Sequence, residues 1–302
     1  MIFITGATGF IGSHLGQFLT DKGQAVLGVD TSPHRPPFMA KSVQINQLSV
    51  TQKDQIEDLF KSNSISTVLH LGMTSTPKDA KADPKKARES IIHGTEILIE
   101  LCLKYKVKNF TFFSSSHVYG DVNTESVSED MSGTPKSDYG KYKLEAEKIC
   151  LEKLRGSEIS HTIIRPTSVY GPHDPGMRVI NKFIDRAQQG LPLDINDHQS
   201  LMDFTFIEDF LEGVNLLLSK GPFQGEVFNL SRGRGRTLLE ACEIIKSHYP
   251  NLEVHLKESS DINQTKKGCL DITKARTLLG FKPQFDLEQG IAKIITSQRI
   301  NR

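Results

Sequence analysis

Along this chain short apolar runs of strand length alternate with stretches whose apolar positions recur at helical spacing, and that alternation predicts the architecture. Ile2-Phe3-Ile4 reads as a short buried strand and Ser13 onward as the first helix, followed by a second strand at Ala25-Val26-Leu27-Gly28-Val29. Ser42 to Ile45, Thr67-Val68-Leu69-His70-Leu71-Gly72 and Phe110-Thr111-Phe112-Phe113 read as further strands. Between them lie two helices, Gln52 to Lys61 and Pro84 to Tyr105, the latter carrying Ile91, Thr95, Leu98 and Cys102 on one face. Strands alternating with helices imply an α/β fold built on a parallel, doubly wound sheet.

The turn after the first strand is rich in glycine. In Gly6-Ala7-Thr8-Gly9-Phe10-Ile11-Gly12, Gly6 permits the tight turn, Gly9 lets the backbone approach a pyrophosphate and Gly12 lets helix and strand pack closely. The helix N-terminus behind it offers unpaired N–H groups to an anion. Asp30, at the end of the second strand, is placed to bind an adenosine ribose, so the arrangement is that of a Rossmann dinucleotide site. NAD is the expected cofactor. Arg35, in the following loop, could reach the 2′-phosphate of NADP, but the Asp30 carboxylate would repel that phosphate.

Composition narrows the partner. The 302 residues carry 37 Lys plus Arg against 36 Asp plus Glu, which removes any bulk electrostatic case for nucleic acid, and no basic run marks a membrane surface. Cys102, Cys150, Cys242 and Cys269 form no Cys-x-x-Cys pair and read as reduced packing residues. The histidines show no metal-ligand spacing, so no metal is expected. The first strand begins at residue 2 and no apolar run is long enough to span a bilayer, which points to the cytoplasm. A small molecule is the expected partner.

Ligands of open α/β sheets bind at the carboxyl ends of the strands, where Ser114-Ser115-Ser116-His117 must lie. The next helix opens near Ser137-Asp138 and carries Tyr139 and Lys143 four apart on one face, an ammonium beside a phenol whose pKa it can lower. Of the six tyrosines only Tyr139 has lysine at that offset. Cofactor loop, orienting hydroxyl and proton-exchanging phenol come in the order that hydride transfer requires.

These residues give the chain a resemblance, over nearly its whole length, to the extended short-chain dehydrogenase/reductases of the NAD-dependent epimerase/dehydratase group, most of which act on nucleotide sugars. Besides the glycine loop it rests on His70-Leu71, Gly94-Thr95, Ser114 to Gly120, Tyr139-Gly140-Lys141-Tyr142-Lys143, Arg165 to Pro172, Asp203-Phe204-Thr205-Phe206-Ile207-Glu208-Asp209 and Leu279-Gly280-Phe281-Lys282-Pro283. The resemblance implies that Tyr139 exchanges the substrate proton, that Ser115 hydrogen-bonds the reacting oxygen and that Lys143 binds the nicotinamide ribose. It also implies cofactor contacts from Gly6, Thr8, Gly9, Phe10, Ile11, Gly12, Asp30, Gln47, Leu48, Leu71, Gly72, Met73, Tyr139 and Lys143. A homodimer packed through the helix of Tyr139 and its neighbour is the family default.

Departures from the family pattern concern the substrate. Ser116 and His117 replace the acidic pair of the 4,6-dehydratases, which argues against that reaction and leaves His117 as a candidate acid or base. Met202 and Glu258 stand where diphosphate-binding arginines are usual, and Ser168 replaces an asparagine before Tyr170-Gly171-Pro172. The loop Arg232-Gly233-Arg234-Gly235-Arg236 could compensate. Gln47 replaces an aspartate near the adenine, and Ile91 an asparagine near the active site. The expected organisation is a cofactor domain over 1–165 and a smaller α/β substrate lobe over 166–302, with a segment near 203–219 returning to the first domain and its sheet around Asp203 to Phe206. An epimerase of a sugar or nucleotide sugar is the first reading. A dehydrogenase of a smaller sugar, polyol or ketone and a non-catalytic NAD-binding protein are the alternatives.

Overall fold

The computed structural model describes residues 1–122, 126–131, 133–174, 178–196, 198, 200–257 and 268–300. Contacts divide the chain into two units, one of Met1–Val118, Gly133–Arg165 and Leu217–Phe228, the other of Tyr119–Ser132, Pro166–Leu216 and Asn229–Arg302.

The first unit is organised on a seven-stranded sheet. Its strands β1 (Ile2–Thr5), β2 (Val26–Asp30), β4 (Thr67–His70) and β5 (Asn109–Phe113) form within about a residue or two of the apolar runs that predict them, while β3 (Gln44–Gln47) starts two residues after the Ser42 expected. The order across the sheet is β3, β2, β1, β4, β5, then Ser160–Pro166 and Gln224–Leu230. The pairings from β3 across to Ser160–Pro166 are parallel. The chain therefore runs outward one way from β1 to β3, returns to β4 and continues outward the other way. The reversal between β1 and β4 brings the carboxyl ends of these two strands together, which is where such sheets bind ligands.

Apart from the edge strand β3, the strands are buried on both faces and need apolar cover from helices. Phe3, Val68 and Phe110 meet Ile56 and Phe60 of Lys53–Ser62 and Leu98 and Cys102 of Gly94–Lys104 in one cluster. The stretch expected as a single helix from Pro84 is divided: Pro84–Arg88 is α-helical, Glu89–His93 is a π-turn, and Gly94–Lys104 resumes the α-helix. Periodicity alone cannot register the extra residue a π-turn inserts. A Cβ at Gly94 would stand 2.5 Å from Val50 Cγ2, so the turn also lets this backbone close on its neighbour.

The second unit contains short two-stranded ladders and the helices Val179–Gln188, Leu238–His248 and Leu287–Ile300. The return to the large sheet expected at Asp203 to Phe206 occurs instead at Gln224–Leu230. Leu201–Asp203 pairs antiparallel with Gly235–Thr237, and Thr205–Phe206 pairs with Val169–Tyr170. Helix Ile207–Lys220 follows at once, and both strands have their ladder partners in short two-stranded sheets of their own.

Both aspartates of the Asp203 to Asp209 motif are anchors of this unit. Asp203 is buried and accepts from the Ser231 hydroxyl at 2.7 Å and from the Gly233 and Leu270 amides at 3.1 Å. Asp209 accepts from the amides of Gln284 and Phe285 at 2.7 and 2.9 Å, just beyond the Lys282-Pro283 motif. Burial raises both carboxyl pKa values and the donors oppose that shift.

Candidate active site

The glycine loop is shaped by what its residues lack. Gly6 has φ +69°, and a Cβ on it would stand 2.9 Å from the backbone of Gly72. A Cβ on Gly12 would come within 2.0 Å of Gly6 O, so no other residue fits without moving the helix start. A Cβ on Gly9 would stand 3.3 Å from Gly6 O, a tighter contact than usual though far milder than at Gly12. Helix α1 (Phe10–Asp21) has Gly9 as its N-cap, no capping side chain and no acidic residue in its first turn. Its first return bond is Ser13 N to Gly9 O at 2.9 Å, which leaves the Ile11 and Gly12 amides without a carbonyl of the helix to bond. Such an end suits a pyrophosphate.

Asp30 closes the loop's outer side. Its Oδ2 accepts from Thr8 N and its Oδ1 from Ser32 N, each at 3.0 Å, which leaves further lone pairs for ribose hydroxyls. Leu48 N donates to Asp30 O at 2.9 Å, and Gln47 stands beside Asp30 in the β2–β3 register. Arg35, the NADP candidate, instead donates to Val43 O at 3.0 Å and to Ala40 O. These residues fit NAD.

A buried relay joins the loop to the strand ends. Thr95 Oγ1 donates to Ile91 O at 2.5 Å, so it accepts from His70 Nε2 at 3.0 Å. His70 Nδ1 then accepts from the Thr5 hydroxyl at 2.8 Å, and Thr5 Oγ1 accepts in turn from the amides of Leu71 and Gly72 at 3.1 and 2.7 Å. Burial, aided by the charge of Lys143, drives the His70 pKa well below its ordinary value and keeps the ring neutral. The sequence marked His70-Leu71 and Gly94-Thr95 as motif residues without giving them a task. Their task is to hold the Leu71-Gly72 backbone against Gly6. Ile91, the asparagine replacement, is buried, and its carbonyl ends the relay.

The chemical end lies on helix Asp138–Leu154, whose N-cap Ser137 accepts from Gly140 N at 3.2 Å. Tyr139 and Lys143 are 5% and 3% exposed, and Lys143 Nζ stands 5.7 Å from the Tyr139 ring centre. Nζ donates to Phe113 O at 2.6 Å, at the end of β5, and contacts Met73 Sδ at 2.8 Å. Loss of water pushes the Lys143 pKa down from 10.5 to about 7, against the opposing pull of Glu147. Ser115 is 8% exposed, and its Oγ accepts from His117 N at 3.3 Å, opening the turn Ser116–Tyr119. The His117 ring stands edge-on to Tyr139, centres 5.7 Å apart.

The structure thus brings Ser115, His117, Tyr139, Lys143 and Met73 to the carboxyl end of β5. Sequence reasoning missed a pair that links this helix to the strand Ser160–Pro166: Glu147 accepts from both Arg165 Nε at 3.0 Å and Arg165 Nη2 at 2.6 Å. The signal available was the repeat of Tyr139, Lys143 and Glu147 at four-residue intervals.

In the second unit, Arg236 lies directly across the ladder from Met202. Its guanidinium is held by Glu240 at 2.8 Å and Glu288 at 2.6 Å, and Arg232 Nη1 donates to Pro283 O at 2.5 Å. Arg234 is exposed. Glu258 lies outside the described residues. All four cysteines are free and buried, with burial raising each thiol pKa. Among the described residues no helix is long and apolar enough to cross a membrane.

The chain itself has relatives among known proteins. The family model described as the NAD dependent epimerase/dehydratase family matches residues 2–231. A Bacillus subtilis protein named as an uncharacterized UDP-glucose epimerase, YtcB, is 30% identical over 308 residues, covering 97% of this chain and 96% of its own. A Thermotoga maritima UDP-glucose 4-epimerase solved with UDP-glucose superposes with TM-score 0.93 at 28% identity over 99% of both chains. The UDP-glucuronic acid 4-epimerase of Bacillus cereus, solved with UDP-glucuronic acid and NAD, gives TM-score 0.89 at 27% identity, over 100% of this chain and 99% of its own.

Proposed function

Because this chain belongs to the NAD-dependent epimerase/dehydratase family, whose cofactor is NAD, we propose that it is a nucleotide-sugar epimerase in which Tyr139 is the acid/base. When bound, NAD supplies a reversible hydride acceptor. The glycine loop and the N-terminus of α1 would hold its pyrophosphate, Asp30 its adenosine ribose and Lys143 its nicotinamide ribose. Tyr139 takes the proton from the reacting hydroxyl and returns it, Ser115 orients that oxygen, and the adjacent ammonium of Lys143 favours the phenolate.

The observation that carries this reading is the buried Tyr139–Lys143 pair at the carboxyl end of β5. UDP-glucose and UDP-glucuronic acid, the ligands of the solved relatives, are the first substrates to test. The expected result is interconversion of C4 epimers without accumulation of NADH, and a drop of about 10²–10⁴-fold in turnover for Tyr139→Phe. Turnover unchanged in that variant would overturn the assignment.

One observation favours a second reading, a dehydrogenase of a sugar lacking a diphosphate: with Met202 in place of an arginine, the guanidiniums of Arg232 and Arg236 are already engaged by partners of their own unit. That enzyme would accumulate NADH with every cycle. A homodimer through the helices of Tyr139 and Cys102 remains part of the proposal, and light scattering of the purified protein tests it.

A further inference from the structure

One turn below Lys143, the same helix buries a carboxylate that the proposed chemistry does not use. The side chains of Glu147 and Arg165 are 3% and 8% exposed and meet through two parallel hydrogen bonds. Burying two ions costs several kcal/mol each, and apolar side chains of similar size often serve stability as well or better. Packing alone is therefore a poor reason for this pair, and its position offers another. Spacing of four residues sets Tyr139, Lys143 and Glu147 on successive turns of one helix face.

Lys143 needs a counter-charge. Its direct contacts, Phe113 O and Met73 Sδ, are uncharged. The titratable groups around it are His70 on β4, neutral by burial, and the Cys102 and Cys150 thiols, whose pKa values burial pushes far up. Tyr139 precedes it on its own helix, His117 stands against that tyrosine, and Arg165 on the strand Ser160–Pro166 is itself a cation. Glu147 is the carboxylate whose charge opposes the desolvation of the ammonium.

We propose that Glu147 is a positioning residue that keeps a fraction of Lys143 as the ammonium at neutral pH, and that Arg165 sets the strength of this effect by holding and partly neutralising the carboxylate. A neutral Lys143 would lose a donor and the charge that favours the Tyr139 phenolate. Direct contact between Glu147 and Lys143 would instead draw Nζ down the helix and away from Phe113 O. The fork of Arg165 occupies both carboxylate oxygens, so Glu147 acts at one turn's distance and the ammonium stays at the strand end. The consequence for turnover rests on the acid/base reading above, while the electrostatic statement does not.

The test is a heteronuclear NMR titration of the full chain labelled with ¹³C-lysine, with the Lys143 signal assigned through Lys143→Arg. Glu147→Gln should lower the Lys143 midpoint by about one pH unit or more, and Glu147→Asp should restore part of the shift. Arg165→Gln should move it the opposite way. Should Glu147→Gln fail to fold because it strands a buried cation, Glu147→Gln/Arg165→Met removes both charges, and its midpoint should still lie below that of Arg165→Met alone, with a smaller net lowering than Glu147→Gln would give. A pair that only braces the fold would lower stability in these variants and leave the midpoint unchanged, which would overturn the proposal. The alkaline limb of the turnover profile should move to lower pH with the midpoint. A shifted midpoint in a protein that turns over no nucleotide sugar would sink the proposed function alone. An unshifted midpoint, with turnover that depends on Tyr139, would sink this proposal alone.

Discussion

The two ends of the candidate cofactor site are built by opposite means. At the phosphate end, Gly6, Gly9, Gly12 and the uncapped start of α1 make a cradle from backbone and from missing side chains. At the chemical end, Lys143, Tyr139, Glu147 and Arg165 make a site from ionisable side chains almost wholly withdrawn from water. The first end depends on space and is indifferent to proton concentration over the neutral range. The second depends on charge: Glu147 and Arg165 pair, and Glu147 opposes the desolvation of Lys143.

The sharpest way to break this contrast is to fill the cradle. Gly12→Val should prevent stable retention of NAD and cost about 2–3 kcal/mol of stability through overpacking, with equal losses at pH 6 and pH 8, read by calorimetry and thermal unfolding. A loss that varied with pH would show that charge matters at this end too.

Lys143→Met probes the other end through the pH dependence of folding. The lysine has its pKa near 7 in the folded chain and 10.5 as its ordinary value. Between these pH values the unfolded chain binds a proton that the folded chain lacks, so the contribution of Lys143 to stability rises with pH. Denaturant titrations should therefore show wild type gaining on Lys143→Met by up to about 4 kcal/mol from pH 7 to pH 10. A constant difference would mean that the ammonium is not desolvated.

The smallest effects separate two loop residues. Asp30→Asn removes a charged acceptor and should weaken NAD about tenfold, from roughly 1.5 kcal/mol of charge-assisted hydrogen bonding. Arg35→Ala should change NAD and NADP affinity by no more than about twofold, since surface changes of this kind stay within ±0.5 kcal/mol. Its guanidinium is already engaged by carbonyls of its own loop. Titration of both cofactors into each variant checks the pair.

Local chemistry was legible in the sequence, and chemistry assembled across distance was not. The glycine loop, Asp30, and Tyr139 with Lys143 each lie within one strand-turn-helix unit or one helix face, so spacing alone places them. The relay through Thr5, His70 and Thr95 draws on two strands and a helix and becomes visible only when β1 and β4 are adjacent. Arg165 meets Glu147 across 18 residues, through a sheet order that no local pattern states. The π-turn at Glu89–His93 escaped because its period is neither that of a helix nor that of a strand. In the basic loop the arginines were legible, while Glu288, which engages Arg236 from 52 residues away, was not.

The two anchoring aspartates also bear on how the protein is made. Asp203 waits for the amide of Leu270, 67 residues downstream, and Asp209 for those of Gln284 and Phe285, 75 and 76 residues downstream. While the ribosome is still adding those residues, two acids destined for burial must stay hydrated, so the second unit closes only after Leu270, Gln284 and Phe285 have been made. A nascent chain stopped at residue 268 would hold every residue of the phosphate cradle and the Tyr139–Lys143 pair, yet leave both acids without these donors. Premature termination there should yield a product that quality-control proteases remove.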